Sequence, residues 1–230
     1  MLLFRWLRRL FRFSKNSRGK RPEQWPTQEQ IRNLPPFEAL NLIDIETVSD
    51  PKSAHRAYAE ISVESVVGFD SESKPTFCKG EVSTGPHTLQ FSTPYRAYVF
   101  LLHEAKCREI AIELIVKKEL MKVGFGLRDD LRFLRVKFNI QPLNVLDLQT
   151  LFKEKGFGEG VGVKVGLALL FQRRFIKSKK IGTSNWSNPV LTNAQLLYAG
   201  NDAFAAISAY NALTSKQKMY SSAFSRSPII

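Results

Sequence analysis

Apolar and polar positions along the chain change period several times, and each change marks an element. Leu3, Trp6, Leu7 and Leu10 recur at helical spacing, with Arg5, Arg8, Arg9 and Arg12 largely off that stripe. Residues 15–27 are polar and basic, punctuated by Pro22 and Pro26, and read as a linker. The pattern then predicts a short helix over 27–33, an extended segment over 40–45, a helix over 52–60 and a strand over 63–69. Two more strands are expected over 88–92 and 97–102. The intervening loop holds Pro75, Gly80, Gly85 and Pro86, so the strand before it and the strand after it are expected to form a loosely connected hairpin.

Beyond that point helices and strands alternate. Helices are expected over 103–120, 128–136, 148–154, 163–173 and 193–213, with strands over 121–125 and 144–147. Hairpin strands followed by αβα units predict an α/β fold, a mixed sheet flanked by helices. Gly156 to Gly162 is glycine-rich but lacks both the strand–GxGxxG–helix setting and a GK[ST] ending, so it reads as a turn. The domain is expected over 28–215, after a basic amphipathic tail and linker over 1–27 and before a disordered tail over 216–230.

Charge and cysteine content narrow the chemistry. The net charge of +13 favours polyanionic partners, and eight of those charges fall within residues 1–22, which contain no acid. That segment reads as an interfacial membrane helix, an organelle-targeting segment or a basic tail that clings to nucleic acid. Cys78 and Cys107 form no disulfide framework and have no CxxC partner, so a reducing, intracellular compartment is expected and a zinc site is not.

The remaining signal is acidic. Asp70 and Glu72 end an apolar run one residue apart, and on a strand they project to the same face. Two anions so close repel unless a cation lies between them, and Mg²⁺ or Mn²⁺ takes such oxygen ligands. A second stretch runs from Lys122 through Gly124 and Gly126 to Asp129 and Asp130, where a helix opens. Asp147 ends a strand and reads as a cap. Tyr198 and Asp202 lie at i and i+4 on the last helix, and an Asp on that largely apolar face needs a cation or a donor.

In this order, Phe69-Asp70-Ser71-Glu72, Gly124 to Asp130 and Tyr198 to Asp202 resemble the three motifs of the DEDDy 3′→5′ exonucleases, which include ribonuclease D and the exonuclease domain of the Werner-syndrome helicase. The segment from Lys177 to Trp186, with Leu191 and Thr192, is similar to what precedes the third motif there. The resemblance spans about residues 41–213 and implies a ribonuclease H-like fold with catalytic residues Asp70, Glu72, Asp130, Tyr198 and Asp202. It implies two divalent ions, Mg²⁺ or Mn²⁺, held by the four carboxylates, with Tyr198 orienting the attacking water. Asp130 rather than Asp129 matches the spacing from Gly126.

A single strand with a free 3′ end would be led in by basic and aromatic residues. The candidates are Arg128, Arg173, Arg174, Lys177, Lys179, Lys180 and Trp186, with Lys79, Phe77 and His87 near the first motif. A catalytically silent binding module on the same fold is the alternative. A metal-free acid–base hydrolase fits less well, since its carboxylates stand about 5–9 Å apart across a sugar.

Overall fold

The computed structural model describes residues 25–76, 80 and 83–224, the last nine of these as backbone alone. The basic tail, Phe77, Cys78, Lys79 and the final residues lie outside that description.

Six strands form one sheet: β1 (Ile45–Val48), β2 (Val66–Glu72), β3 (Thr88–Ser92), β4 (Ala97–Leu101), β5 (Met121–Gly124) and β6 (Val145–Asp147). Their spatial order is β1-β4-β3-β2-β5-β6. The β2–β3–β4 meander is antiparallel, as the loose hairpin predicts, while β1 joins β4 and β5 and β6 join β2 in parallel. Every residue of β3 and β4 is buried; β4 is apolar throughout, whereas β3 alternates Leu89 and Phe91 with the buried polar Thr88, Gln90 and Ser92.

One face carries α2 (Pro51–Ile61), α3 (Ala105–Val116) and α4 (Arg128–Phe138). Phe69, Phe91 and Phe100 pack there against Ala54, Ala57, Ile61, Ile110 and Leu114. A five-residue helix α1 (Gln28–Arg32), capped by Thr27, precedes them. The opposite face is spanned by the last helix, α8 (Asn193–Phe224), which touches β1 through β5. Helices α5 (Leu148–Glu154), α6 (Val163–Phe171) and the short α7 (Lys179–Gly182) flank α8. Among the described residues no helix is long and apolar enough to cross a membrane.

The alternation of β2 sends Val67 and Phe69 into the first core and Gly68, Asp70 and Glu72 toward α8. Gly68 sets the distance between the two elements. A Cβ on it would lie 1.8 Å from the Ala203 carbonyl oxygen, so only glycine admits the helix backbone that closely. Ala199, Ala203 and Ala206 are fully or almost fully buried and continue that close approach along the helix. Asp202 precedes Ala203 and is carried against β2 by the same contact.

Several boundaries differ from the sequence expectation for identifiable reasons. β2 begins at Val66 because the backbone closes the end of α2 through Glu64 N–H to Ile61 O, leaving Val63 81% exposed. It runs on to Glu72 because Asp70, Ser71 and Glu72 pair with Gln90, Leu89 and Thr88. The segment expected to be extended over 40–45 contains a 3₁₀ turn, Leu42–Asp44, ahead of β1. Helix α3 is shorter than its apolar pattern, starting after the Glu104 cap and ending at Val116, where Lys117 turns extended. The last helix passes Leu213 and Ser215 to Phe224, since no Gly or Pro interrupts that stretch. The glycine-rich loop is a turn, with Gly156, Gly158 and Gly160 all at positive φ.

Gly68→Ala is expected to cost about 3 kcal/mol, the upper range for overpacking against unyielding backbone. Urea unfolding measures it, and an unchanged midpoint would contradict the contact.

Candidate active site

Strand β2 and helix α8 deliver the central carboxylates. Asp70 and Glu72 project from one face of β2, and Asp202 meets them from α8. Ligand oxygens of the three lie within 4.8 Å of one another. Asp70 and Glu72 are half-buried and Asp202 is 6% exposed. Oδ1 of Asp202 is buried without a hydrogen-bond partner, while Oδ2 meets the Lys177 ammonium at 2.5 Å. Gln90, opposite Asp70 in the β2–β3 register, contributes another buried acceptor without a donor, its Oε1.

Such crowding of acceptors raises the carboxyl pKa values. Burial and the Asp202 and Asp130 charges hold Asp70 well above its usual range, against the pull of Lys177. Glu72 is pushed up to about 9 by burial, then by Asp70 and Asp202. Burial also raises Asp202, despite the opposing pull of Lys177. Burial alone would lower the Lys177 ammonium, but the charges of Asp202 and Asp70 outweigh it and hold it raised. One ammonium cannot balance this many acids, so without a further cation burial keeps protons on them, and the partnerless Asp202 oxygen fits a cation-binding site. Asp70, Glu72 and Asp202 are a cluster able to hold a divalent metal.

The second motif places Asp130 beside this cluster rather than within it. Its Oδ1 accepts a hydrogen bond from the Ser71 hydroxyl, and burial raises its carboxyl. Asp129 faces away and pairs with Arg132 at 3.5 Å on the surface. Asp147 is a cap: its carboxylate accepts from the backbone N–H of Gly126, Leu127 and Gln149 at 2.9–3.0 Å. It thereby shapes the loop from which α4, and so Asp130, departs.

Tyr198 is held on three sides. Its hydroxyl sits where a Cβ on Gly182 would come within 2.5 Å, its ring lies 5.9 Å from that of Trp186, and Lys177 Nζ is 4.9 Å from its centroid. Burial pushes its phenol up to about 12, so it is protonated at neutral pH.

The residues expected to guide nucleic acid do not form one groove. Lys177 belongs to the acidic cluster, because its ammonium gains more from Asp202 than from solvent. Trp186 is 1% exposed, with Nε1 donating to Gly182 O at 3.2 Å, so it packs beneath Tyr198 and offers no face to a base. Arg174 is an anchor for the segment before α2: Nη1 donates to Arg32 O at 3.0 Å, and its backbone pairs with Pro36. Arg128 is exposed two residues before Asp130, Arg173 is half-buried, and Lys179 and Lys180 are exposed on α7. His87 is pinned in its loop, with Nδ1 accepting from Lys74 N–H at 3.1 Å. Sequence reading missed Ser71, Gly68 and Gly182. Only Gly68, an isolated glycine inside a strand pattern, carries a signal of its own.

Comparison with known proteins agrees with this fold. A 3′–5′ exonuclease family model matches residues 45–218. A 3′–5′ exonuclease of Arabidopsis thaliana is 30% identical over 153 residues, which cover 64% of this chain and 52% of the relative. The bifunctional 3′–5′ exonuclease/ATP-dependent helicase WRN of Mus musculus is 27% identical over 150 residues, 64% of this chain and 11% of that protein. The chain therefore spans about half or much less of these relatives. Ribonuclease D of Trypanosoma brucei, solved in complex with RNA U12, has the same ribonuclease H-like fold, with a TM-score of 0.65 at 17% identity over 80% of this chain and 64% of that one. With its family model spanning β1 through most of α8, the chain belongs to the 3′–5′ exonuclease family.

Proposed function

We propose that the chain is a two-metal-ion 3′→5′ exonuclease that hydrolyses the terminal phosphodiester of single-stranded DNA or RNA and releases nucleoside monophosphates. The observation that carries this reading is the convergence of Asp70, Glu72 and Asp202, oxygens within 4.8 Å, around a partnerless buried oxygen. Asp70, Glu72 and Asp202 would hold one Mg²⁺ or Mn²⁺, and Asp130 with Asp70 the other. Bound there, the ions supply a lowered pKa for the attacking water and neutralise the departing 3′ oxygen.

The chain's own groups do the positioning. Tyr198, protonated and wedged between Gly182, Trp186 and Lys177, presents a fixed hydroxyl to hold the water in line. Ser71 fixes the carboxylate of Asp130. The exposed Arg128, Lys179 and Lys180, with Arg173, supply positive charge along the approach for the strand. The N-terminal tail would add weak attraction to a polyanion, whether nucleic acid or an anionic membrane surface.

With 5′-labelled single strands and Mg²⁺ or Mn²⁺, the chain is expected to give a ladder that shortens one nucleotide at a time. Asp70→Ala or EDTA should abolish the ladder, and Tyr198→Phe should slow it on the order of 10²–10⁴-fold. Oligonucleotide binding without any ladder would overturn the catalytic reading.

A second expectation concerns pH. Glu72 has an ordinary value of 4.5 and a folded value of about 9, so the folded state holds its proton more tightly than the unfolded state. In EDTA, stability should therefore fall as pH rises from about 5 to 9. Mn²⁺ should raise the melting temperature more at pH 8 than at pH 6, and Glu72→Gln should flatten the EDTA curve. Melting curves that are identical with and without Mn²⁺ at both pH values would contradict the metal assignment.

A further inference from the structure

Beside the acidic cluster, on the same edge of the sheet, lies a cavity of about 440 Å³ of opposite character. It starts one strand over from Glu72: His87, whose backbone N–H donates to Glu72 O at 2.8 Å, forms part of its wall. Arg108, Lys137, His103 and Phe138 line it further out. Among the described residues, none that lines it is acidic.

The two permanent cations of this cavity are bound to carbonyls, not to carboxylates. Lys137 Nζ donates to Thr84 O at 2.5 Å and to Pro86 O at 2.7 Å, and Arg108 Nη1 donates to Leu102 O at 2.9 Å. Of the acids beside Arg108 in sequence, Glu109 pairs with Lys106 at 2.8 Å and Glu104 caps Cys107 N–H at 2.7 Å. The cations are thus oriented by carbonyl oxygens, with no carboxylate in hydrogen-bond contact among the described residues. Burial and Arg108 lower the Lys137 ammonium, and burial, Lys137 and Lys74 lower the His87 imidazolium, as expected where like charges crowd together. An anion in the cavity would relieve that crowding.

We propose that this cavity binds the phosphate of the nucleotide on the 5′ side of the one being cleaved. This rests on the exonuclease reading. The terminal nucleotide brings only the scissile phosphate, which belongs at the carboxylates. A second phosphate in a cationic cavity one strand away therefore comes from upstream. The site makes the enzyme a reader of strand continuity: a dinucleotide with one phosphate cannot reach it, and a longer strand can.

The test uses the full chain carrying Asp70→Asn with Mg²⁺, and thymidine oligonucleotides of two to six residues. Binding is expected to step up on the order of tenfold once a phosphate upstream of the scissile one is present. Replacing that phosphate by a neutral methylphosphonate should cost about as much as Arg108→Gln, and the two losses should not add. Arg108→Gln and Lys137→Gln should each lower the salt slope of log K by about 0.7, while Arg108→Lys keeps it. Equal sensitivity to methylphosphonate in wild-type and Arg108→Gln backgrounds, or unchanged salt slopes in both glutamine variants, would overturn the proposal. So would an Arg108→Gln effect confined to binding of thymidine monophosphate, which would make the cavity a product site. Failure of the exonuclease reading is a separate result, the absence of any ladder with Asp70 intact.

Discussion

The contact between Gly68 and the backbone of Ala203 governs the geometry of this molecule. At that point a strand and a helix are separated by less than a methyl group would require. Because β2 is the central antiparallel partner of β3 and the parallel partner of β5, its position is set by the whole sheet. Because α8 spans five strands, its position is set by the whole second core. Closing the gap at one glycine brings Asp202 up to Asp70 and Glu72. The burial of small residues along α8 and the placement of the acids are one and the same packing decision.

That arrangement is costly by itself. Carboxylates gathered in a half-buried cleft repel, and burial and mutual charge raise their pKa values accordingly. Lys177 offsets part of this, and Ser71 secures Asp130. What remains is a site with more acidic groups than its own cations can hold ionised, a pattern expected of function rather than stability. The positively charged cavity next to it has the complementary excess. A nucleic acid with a metal-bound scissile phosphate and an upstream phosphate would bridge the two.

Much of this was legible in the chain, unevenly. The apolar run ending in Asp70 and Glu72, the i, i+4 pair Tyr198 and Asp202, and the hairpin followed by alternating helices are local patterns, and the structure contains each. Asp147 at the end of a strand read as a cap and is one. Other features depend on partners far away in sequence. Nothing local distinguishes Lys177, which enters the acidic cluster, from Lys179 and Lys180, which stay in solvent. Trp186 and Arg174 look like nucleic-acid contacts in a basic stretch, but tertiary packing draws one into the core and ties the other to Arg32. Arg108 and Lys137 sit on different helices and meet only because α3 and α4 share a face of the sheet.

In the proposed mechanism these carboxylates would hold two divalent ions around a scissile phosphate. Anomalous scattering from a crystal grown with Mn²⁺ and thymidine monophosphate tests it most directly. Two peaks are expected, one among Asp70, Glu72 and Asp202 and one between Asp70 and Asp130, with the nucleotide phosphate at both. A crystal with the nucleotide bound but no manganese at these carboxylates would contradict it.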